Sequence, residues 1–218
     1  MKNQSFLFYS RCLLAALAIT GTALEIIKYG MGMLMYYTVQ SNLLVSVFAV
    51  YMVYAMYKGH DLQSAKFLRI KAAVTMSIMI TCVVYHFMLA PLADDFWRLE
   101  NLLCHYIVPL YFLLDTLIVD RQQQYKWFDP IWWTLLPVLY MIFGLVNGLV
   151  IKIPIPDAKD SPFAYFFLNV PKYGWTYVLT YAGVIFVAYL VCGFLLAGLK
   201  SINFKTSLSF GKILSKIR

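Results

Sequence analysis

Residues 36–57, YYTVQSNLLVSVFAVYMVYAMY, decide the fold. The stretch carries no charged residue, and as a helix rising 1.5 Å per residue it outreaches a hydrocarbon core of about 30 Å. A barrel strand of this length would alternate polar and apolar residues, and this one does not. It is therefore a membrane-spanning helix whose backbone polar groups bond to one another. Its opening is unusually polar: Thr38, Gln40, Ser41 and Asn42 fall within the first two turns. Thr38 and Asn42, at i and i+4, share a face. A hydroxyl and an amide at that depth are costly unless they are paired or do chemistry.

Working outward, five further apolar stretches have the same character: roughly 8–28, 70–91, 101–119, 130–151 and 176–198. Composition agrees. Of 218 residues, 62% are hydrophobic and 13% charged, about half the charged share of a soluble domain. The sequence thus predicts an all-α polytopic membrane protein, with a bundle of six transmembrane helices over residues 1–200. A basic amphipathic tail, 201–218, follows. In it Phe210, Ile213, Leu214 and Ile217 recur at helical spacing between Lys212, Lys216 and Arg218, a pattern suited to anionic lipid at the membrane surface. The first stretch is read as a retained helix rather than a signal peptide, because Glu25 and Lys28 close it and no small-x-small site follows.

Sidedness follows from the basic residues. With alternating spans, only Lys28, Arg98, Lys152, Lys159 and Lys172 of the 18 Lys and Arg fall on one side. The other side, which holds both termini, is expected to be cytoplasmic. The net charge of +8 then reports topology and contact with anionic headgroups, not nucleic acid. Cys12, Cys82, Cys104 and Cys192 have no metal-ligand spacing and read as small buried hydrophobes, with a Cys82–Cys104 bridge left open.

The alternation also places polar groups in depth. Glu25, Thr38, Gln40, Asn42, His86, Asn101, His105, Asn147, Thr176 and Thr180 all fall in one slab beneath the non-cytoplasmic headgroups, while Asp115 and Thr116 lie in the other half. Asn101, His105 and Pro109 repeat the i, i+4 spacing on span four; Pro109 lacks the N–H that would bond the His105 carbonyl, which invites a kink. Several of these residues also have a structural reading. Glu25 can pair with Lys28 at i+3, Asp115 with a polar residue of a neighbouring helix, and Asn147 can serve as packing glue. The loop 152–175 holds Phe163–Leu168, which is too apolar for full solvation and should lie among headgroups or fold back as a lid.

The Y-Y-T-V-Q-S-N-L-L opening of span two and the N-x-x-x-H opening of span four, followed by Pro109 and Asp115, resemble the androgen-induced and androgen-dependent family of multi-pass membrane threonine hydrolases, whose androgen-dependent members regulate tissue factor pathway inhibitor. The nearest likeness is to its bacterial six-span relatives, which implies a bacterial cell membrane. The vertebrate members cleave fatty acid esters of hydroxy fatty acids with one Thr and one His inside the membrane. That resemblance implies Thr38 as nucleophile, His105 as base, a lipid substrate and no cofactor. Vertebrate members often carry a second histidine directly after the asparagine, where this chain has Leu102. In such chemistry Tyr37, Gln40, Asn42 or Asn101 would supply an oxyanion hole, and Asn101 or Glu25 would orient the imidazole. Three other functions fit the same residues. They are a non-enzymatic lipid or small-molecule binder or carrier, a hydrolase with metal held by His86, His105 and Glu25 or an aspartate, and a haem protein ligated by His86 and His105. Sequence leaves the oligomeric state open.

Overall fold

The computed structural model describes residues 2–93 and 95–202; Asp94 and the amphipathic pattern of the tail lie outside the described residues. Six helices are long and apolar enough to cross a membrane: α1 (Gln4–Tyr29), α2 (Tyr37–Lys58), α3 (Ala65–Leu92), α4 (Leu99–Val119), α5 (Asp129–Ile151) and α6 (Val170–Ser201). Among the described residues there is no strand. The chain is an all-α integral membrane protein.

The main core lies between α1, α2, α3 and α4, where Leu14, Val45, Ala49, Met52, Val74, Ile78, Val108 and Phe112 are buried. α5 and α6 are far less enclosed, and large side chains such as Leu139, Leu179, Val187 and Leu195 face outward. In water such a surface would drive aggregation; in lipid it is the solvated face.

Two helix starts differ from the sequence reading. α3 begins at Ala65 rather than near residue 70 because its basic residues are not loop flanks. Arg69 donates both to Asp129 Oδ1 and to Oδ2 (2.9 and 2.7 Å from Nε), and Lys71 is fully buried. α6 begins at Val170 rather than near 176. Asn169 caps it by accepting from Lys172 N at 3.2 Å, Pro171 sits in its first turn, and Gly174 (φ 81°) breaks the helix before it resumes.

The half of the bundle away from Thr38 is tied by a buried charge network. Asp115 receives Arg11 through two nitrogens, at 3.2 and 3.1 Å, and Lys71 Nζ at 2.5 Å. Lys71 also bonds Asp120, whose carbonyl accepts from Lys200. Asp115 was a candidate pocket residue, paired at most with an uncharged neighbour. It is instead an ion-pair hub joining α1, α3 and α4, and it lines neither cavity at the polar end. Burial and desolvation push the Asp120 carboxyl above its usual range, and Lys71 beside it only partly offsets this.

At the opposite end the loop between α5 and α6 folds back into the bundle. Phe163, Ala164, Tyr165, Phe167 and Leu168 are buried with Ile155 and Tyr140 in a second apolar cluster. Two glycines permit this. A Cβ on Gly148 would stand 2.0 Å from the Phe163 ring, and one on Gly32 would stand 2.5 Å from Pro156. Of the two expectations for this apolar loop, folding back over the bundle mouth is the one observed.

Candidate active site

α2 opens after a 3-10 turn, Met31–Met35, with Tyr36 extended (φ −83°, ψ 138°). The first N–H groups of any helix lack partners one turn back, and Thr38 occupies that first turn. Its N–H donates to the Tyr165 hydroxyl at 3.4 Å. Gln40 reaches backward, Nε2 to Leu34 O at 2.9 Å, and fixes the entering turn. Asn42 Nδ2 donates to Thr38 O at 2.9 Å and to Cys104 O at 3.0 Å, which ties α2 to α4 beside the two motifs.

α4 widens in the turn before Pro109. Residues Leu103–Ile107 form a π turn, because the proline cannot bond the His105 carbonyl and its ring crowds the preceding turn. Such turns recur at functional sites. Two more, Tyr85–Leu89 and Asn147–Ile151, stand at the same end of α3 and α5.

The widened turn aims His105 at α2. His105 Nε2 lies 3.3 Å from Thr38 Oγ1, and Nδ1 lies 3.0 Å from Asn101 O. Both side chains are buried. A carbonyl oxygen can only accept, so Nδ1 carries the proton in the neutral ring, and the Nε2 lone pair faces the threonine hydroxyl. The Tyr85 ring stacks on the imidazole, with centroids 3.7 Å apart and planes at 24°, and holds its plane. The Tyr85 hydroxyl lies toward Asn101 without forming a hydrogen bond of ordinary geometry.

Two cavities meet at this pair. One, of about 430 Å³, runs between α3, α5 and α6 and is lined mostly by aromatic and aliphatic side chains, among them Val84, Tyr140, Leu168, Leu179 and Phe186. The other, of about 670 Å³, is polar and contains Glu25, Tyr29, Arg98, Asn101 and His105. Thr38, Tyr85, Leu89 and Tyr165 line both. Thr38 therefore stands in the wall between an apolar chamber and a more polar one.

The remaining candidates fall into place around this centre. The Tyr37 hydroxyl is bonded to Ser77 Oγ at 2.8 Å, and Asn101 Nδ2 donates to Phe96 O at 2.8 Å. Asn101 orients the imidazole through its backbone carbonyl rather than its side chain. Glu25 faces the polar cavity but does not pair with Lys28, which bonds Glu100 Oε2 at 2.9 Å instead. Asn147 is withdrawn from the centre. It donates to Ile153 O and Pro162 O at 3.1 and 2.8 Å and accepts from Ile153 N, so it anchors the folded-back loop. His86 is exposed, bonded to the Tyr106 hydroxyl at 3.2 Å, and lines neither cavity. Haem ligation jointly with His105 and a metal set with Glu25 both needed it there. Among the described residues no three His, Cys, Asp or Glu side chains gather as a ligand set, and all four cysteines are free thiols.

Three contributors escaped the sequence reading: Tyr165, Tyr85 and Arg98. For Tyr165 the only signal was an apolar run inside a loop. Arg98 stood out only as one of the five basic residues on the non-cytoplasmic side, and Tyr85 had no signal at all. The chain matches no family model, no curated protein and no solved structure.

Proposed function

We propose that this membrane protein hydrolyses long-chain lipid esters within the bilayer, with Thr38 as nucleophile and His105 as general base. One observation carries the reading: the unprotonated Nε2 of a buried, doubly oriented histidine lies 3.3 Å from the hydroxyl of a buried threonine that lines two adjacent cavities. A threonine hydroxyl is a poor nucleophile until a base takes its proton. In the first half-reaction Thr38 Oγ1 forms a bond to the ester carbonyl carbon while its proton passes to His105 Nε2. The carbonyl π pair moves to oxygen, then returns as the C–O bond to the alcohol breaks, and His105 gives its proton to the departing oxygen. In the second half, water gives a proton to His105 Nε2 as its oxygen bonds the acyl carbon; the carbonyl π pair moves to oxygen and returns as the bond to Thr38 Oγ1 breaks, His105 returns the proton to Oγ1, and the acid leaves. The resemblance of the span-two and span-four openings to those of the androgen-induced family supports the same assignment.

The cavities favour a substrate with one plain acyl chain and one polar end. About 430 Å³ of apolar space lies within the range of small-molecule pockets and suits the acyl chain. In the polar cavity Arg98 bonds the Tyr29 hydroxyl through one terminal nitrogen at 2.6 Å, while its Nε is buried without a partner. A carboxylate on the alcohol part, as in a fatty acid ester of a hydroxy fatty acid, would pair with the guanidinium that lines this cavity. Arg98→Gln should therefore raise KM about tenfold for an ester with a free carboxylate, the order of one charge-assisted bond. The methyl ester of that substrate should be unaffected, and equal losses on both would remove Arg98 from recognition.

The basic asymmetry supports a site beneath the outer headgroups, with both termini cytoplasmic. In a background lacking the native cysteines, Lys159→Cys should react with an impermeant maleimide on intact cells and Lys66→Cys should not. The reverse labelling would put the site in the inner leaflet.

A further inference from the structure

We propose that Tyr165, carried by the loop between α5 and α6, is a catalytic residue whose hydroxyl donates to the acyl oxygen as Thr38 attacks. This inference rests on the hydrolase reading above and names the part that reading lacks, an oxyanion donor. The donors the motifs offered are engaged or placed elsewhere: Tyr37 pairs with Ser77 Oγ, Gln40 Nε2 donates to Leu34 O, Asn42 Nδ2 to two carbonyls and Asn101 Nδ2 to Phe96 O. Gln40 and Asn42 line neither cavity, Tyr37 lines only the apolar one and Asn101 only the other, so none of them stands with Thr38 between the two.

Tyr165 is differently placed. Its oxygen accepts from Thr38 N at 3.4 Å, and an oxygen that accepts this bond still has its own proton to give. The Thr38 side chain and the Tyr140 hydroxyl lie beside it. Tyr140 packs edge-on against the ring and gives its own proton to Met35 O at 2.9 Å, so the Tyr165 hydroxyl proton can turn to an acyl oxygen when an ester is bound. Tyr165 and Thr38 both line both cavities, so a substrate with its acyl chain in one and its polar end in the other places its scissile carbonyl at the wall these two residues form. The Thr38 N–H belongs to the first turn of α2, the positive end of that helix. Bonded to it, the phenol becomes a stronger donor, because hydrogen bonds in a chain polarise one another.

The donor is fixed before substrate arrives, as effective oxyanion stabilisation requires. The ring is stacked on Phe167 (5.1 Å, 6°) and meets Tyr36 and Tyr140 edge-on at 5.8 and 6.1 Å. The loop itself is pinned by Asn147 and by the Tyr36 hydroxyl donating to Pro156 O at 2.8 Å. Burial keeps the phenol protonated, pushing it above its usual range. As the tetrahedral adduct forms, the carbonyl π pair settles on oxygen and receives the Tyr165 hydrogen bond. As it collapses, that pair reforms the C=O bond and the hydrogen bond relaxes; no proton leaves Tyr165.

Tyr165→Phe keeps the ring and removes only the hydroxyl. In nanodiscs kcat for a long-chain ester should fall about 10²–10³-fold with KM little changed, the size of one lost oxyanion donor. Affinity for a long-chain trifluoromethyl ketone, which forms a tetrahedral adduct with Thr38, should fall by the same factor, a loss that a packing role would not produce. Where the phenylalanine variant fails to fold, 3,5-difluorotyrosine at position 165 keeps shape and hydroxyl but ionises at lower pH; the alkaline loss of activity should then move down in pH. Unchanged kcat in Tyr165→Phe, or no movement of the alkaline limb, overturns the assignment while an inactive Thr38→Ala leaves the hydrolase intact. Full activity in Thr38→Ala removes the hydrolase, and Tyr165's role with it.

Discussion

Thr38→Ala should bring ester hydrolysis down to background, and His105→Ala should cost about 10²–10⁴-fold, the usual contribution of a positioned base. The double variant should be no worse than Thr38→Ala, because residues that act as one unit lose their effect together. Two independent contributors would instead multiply. Both side chains are buried and each is the other's partner at 3.3 Å, so each alanine also leaves a polar atom unsatisfied, and thermal stability must be followed in parallel. Thr38→Ser separates the effects, since it keeps the hydroxyl and loses only the methyl that restricts χ1. It should retain partial turnover and should still react covalently with a fluorophosphonate lipid probe, whereas Thr38→Ala should not label. Wild-type turnover in Thr38→Ala would make a lipid-binding protein the better reading of the two cavities.

The six spans were legible because length and scarcity of charge are properties of a single stretch of chain. Thr38 and His105 were legible for a related reason: polar residues at i, i+4 opening apolar helices stand out in one dimension. What fixes their geometry did not stand out. The tautomer of His105 is set by the Asn101 carbonyl, a backbone atom, and its ring plane by Tyr85 from another helix. Asn42, Gln40 and Tyr37 looked like donors because sequence does not reveal which amides and hydroxyls are spent on backbone and neighbours. The local rule that pairs residues three apart assigned Glu25 to Lys28, but Glu100, 72 residues away, has the better approach and takes the lysine. Arg11, Lys71 and Lys200 read as headgroup-facing flanks because their acidic partners Asp115 and Asp120 lie elsewhere in the chain. Tyr165 arrives from a loop, and where a loop folds is the last thing a hydropathy pattern contains.

Asp115→Ala should unfold the protein far more readily without touching the chemistry. Its carboxylate is shared by Arg11 and Lys71, all three almost fully buried, and removing one member of a buried ion pair costs about 3–5 kcal/mol because the partner's charge stays buried. Here two cations lose it at once, and Asp120, already bonded to Lys71, is the one remaining acid in that network. The site is insulated by distance: ten residues of helix, about 15 Å at 1.5 Å per residue, separate Asp115 from His105. Turnover per folded molecule should therefore stay near wild type below the lowered melting temperature. Replacing the three charges together, with Arg11→Met, Lys71→Met and Asp115→Leu, should recover much of the stability, because an apolar set of similar volume avoids the desolvation that the ions pay. An Asp115→Ala melting curve identical to wild type in detergent would mean that the network is wetted and carries no such load. Lost turnover at full stability would mean instead that this end of the bundle is coupled to the Thr38 site.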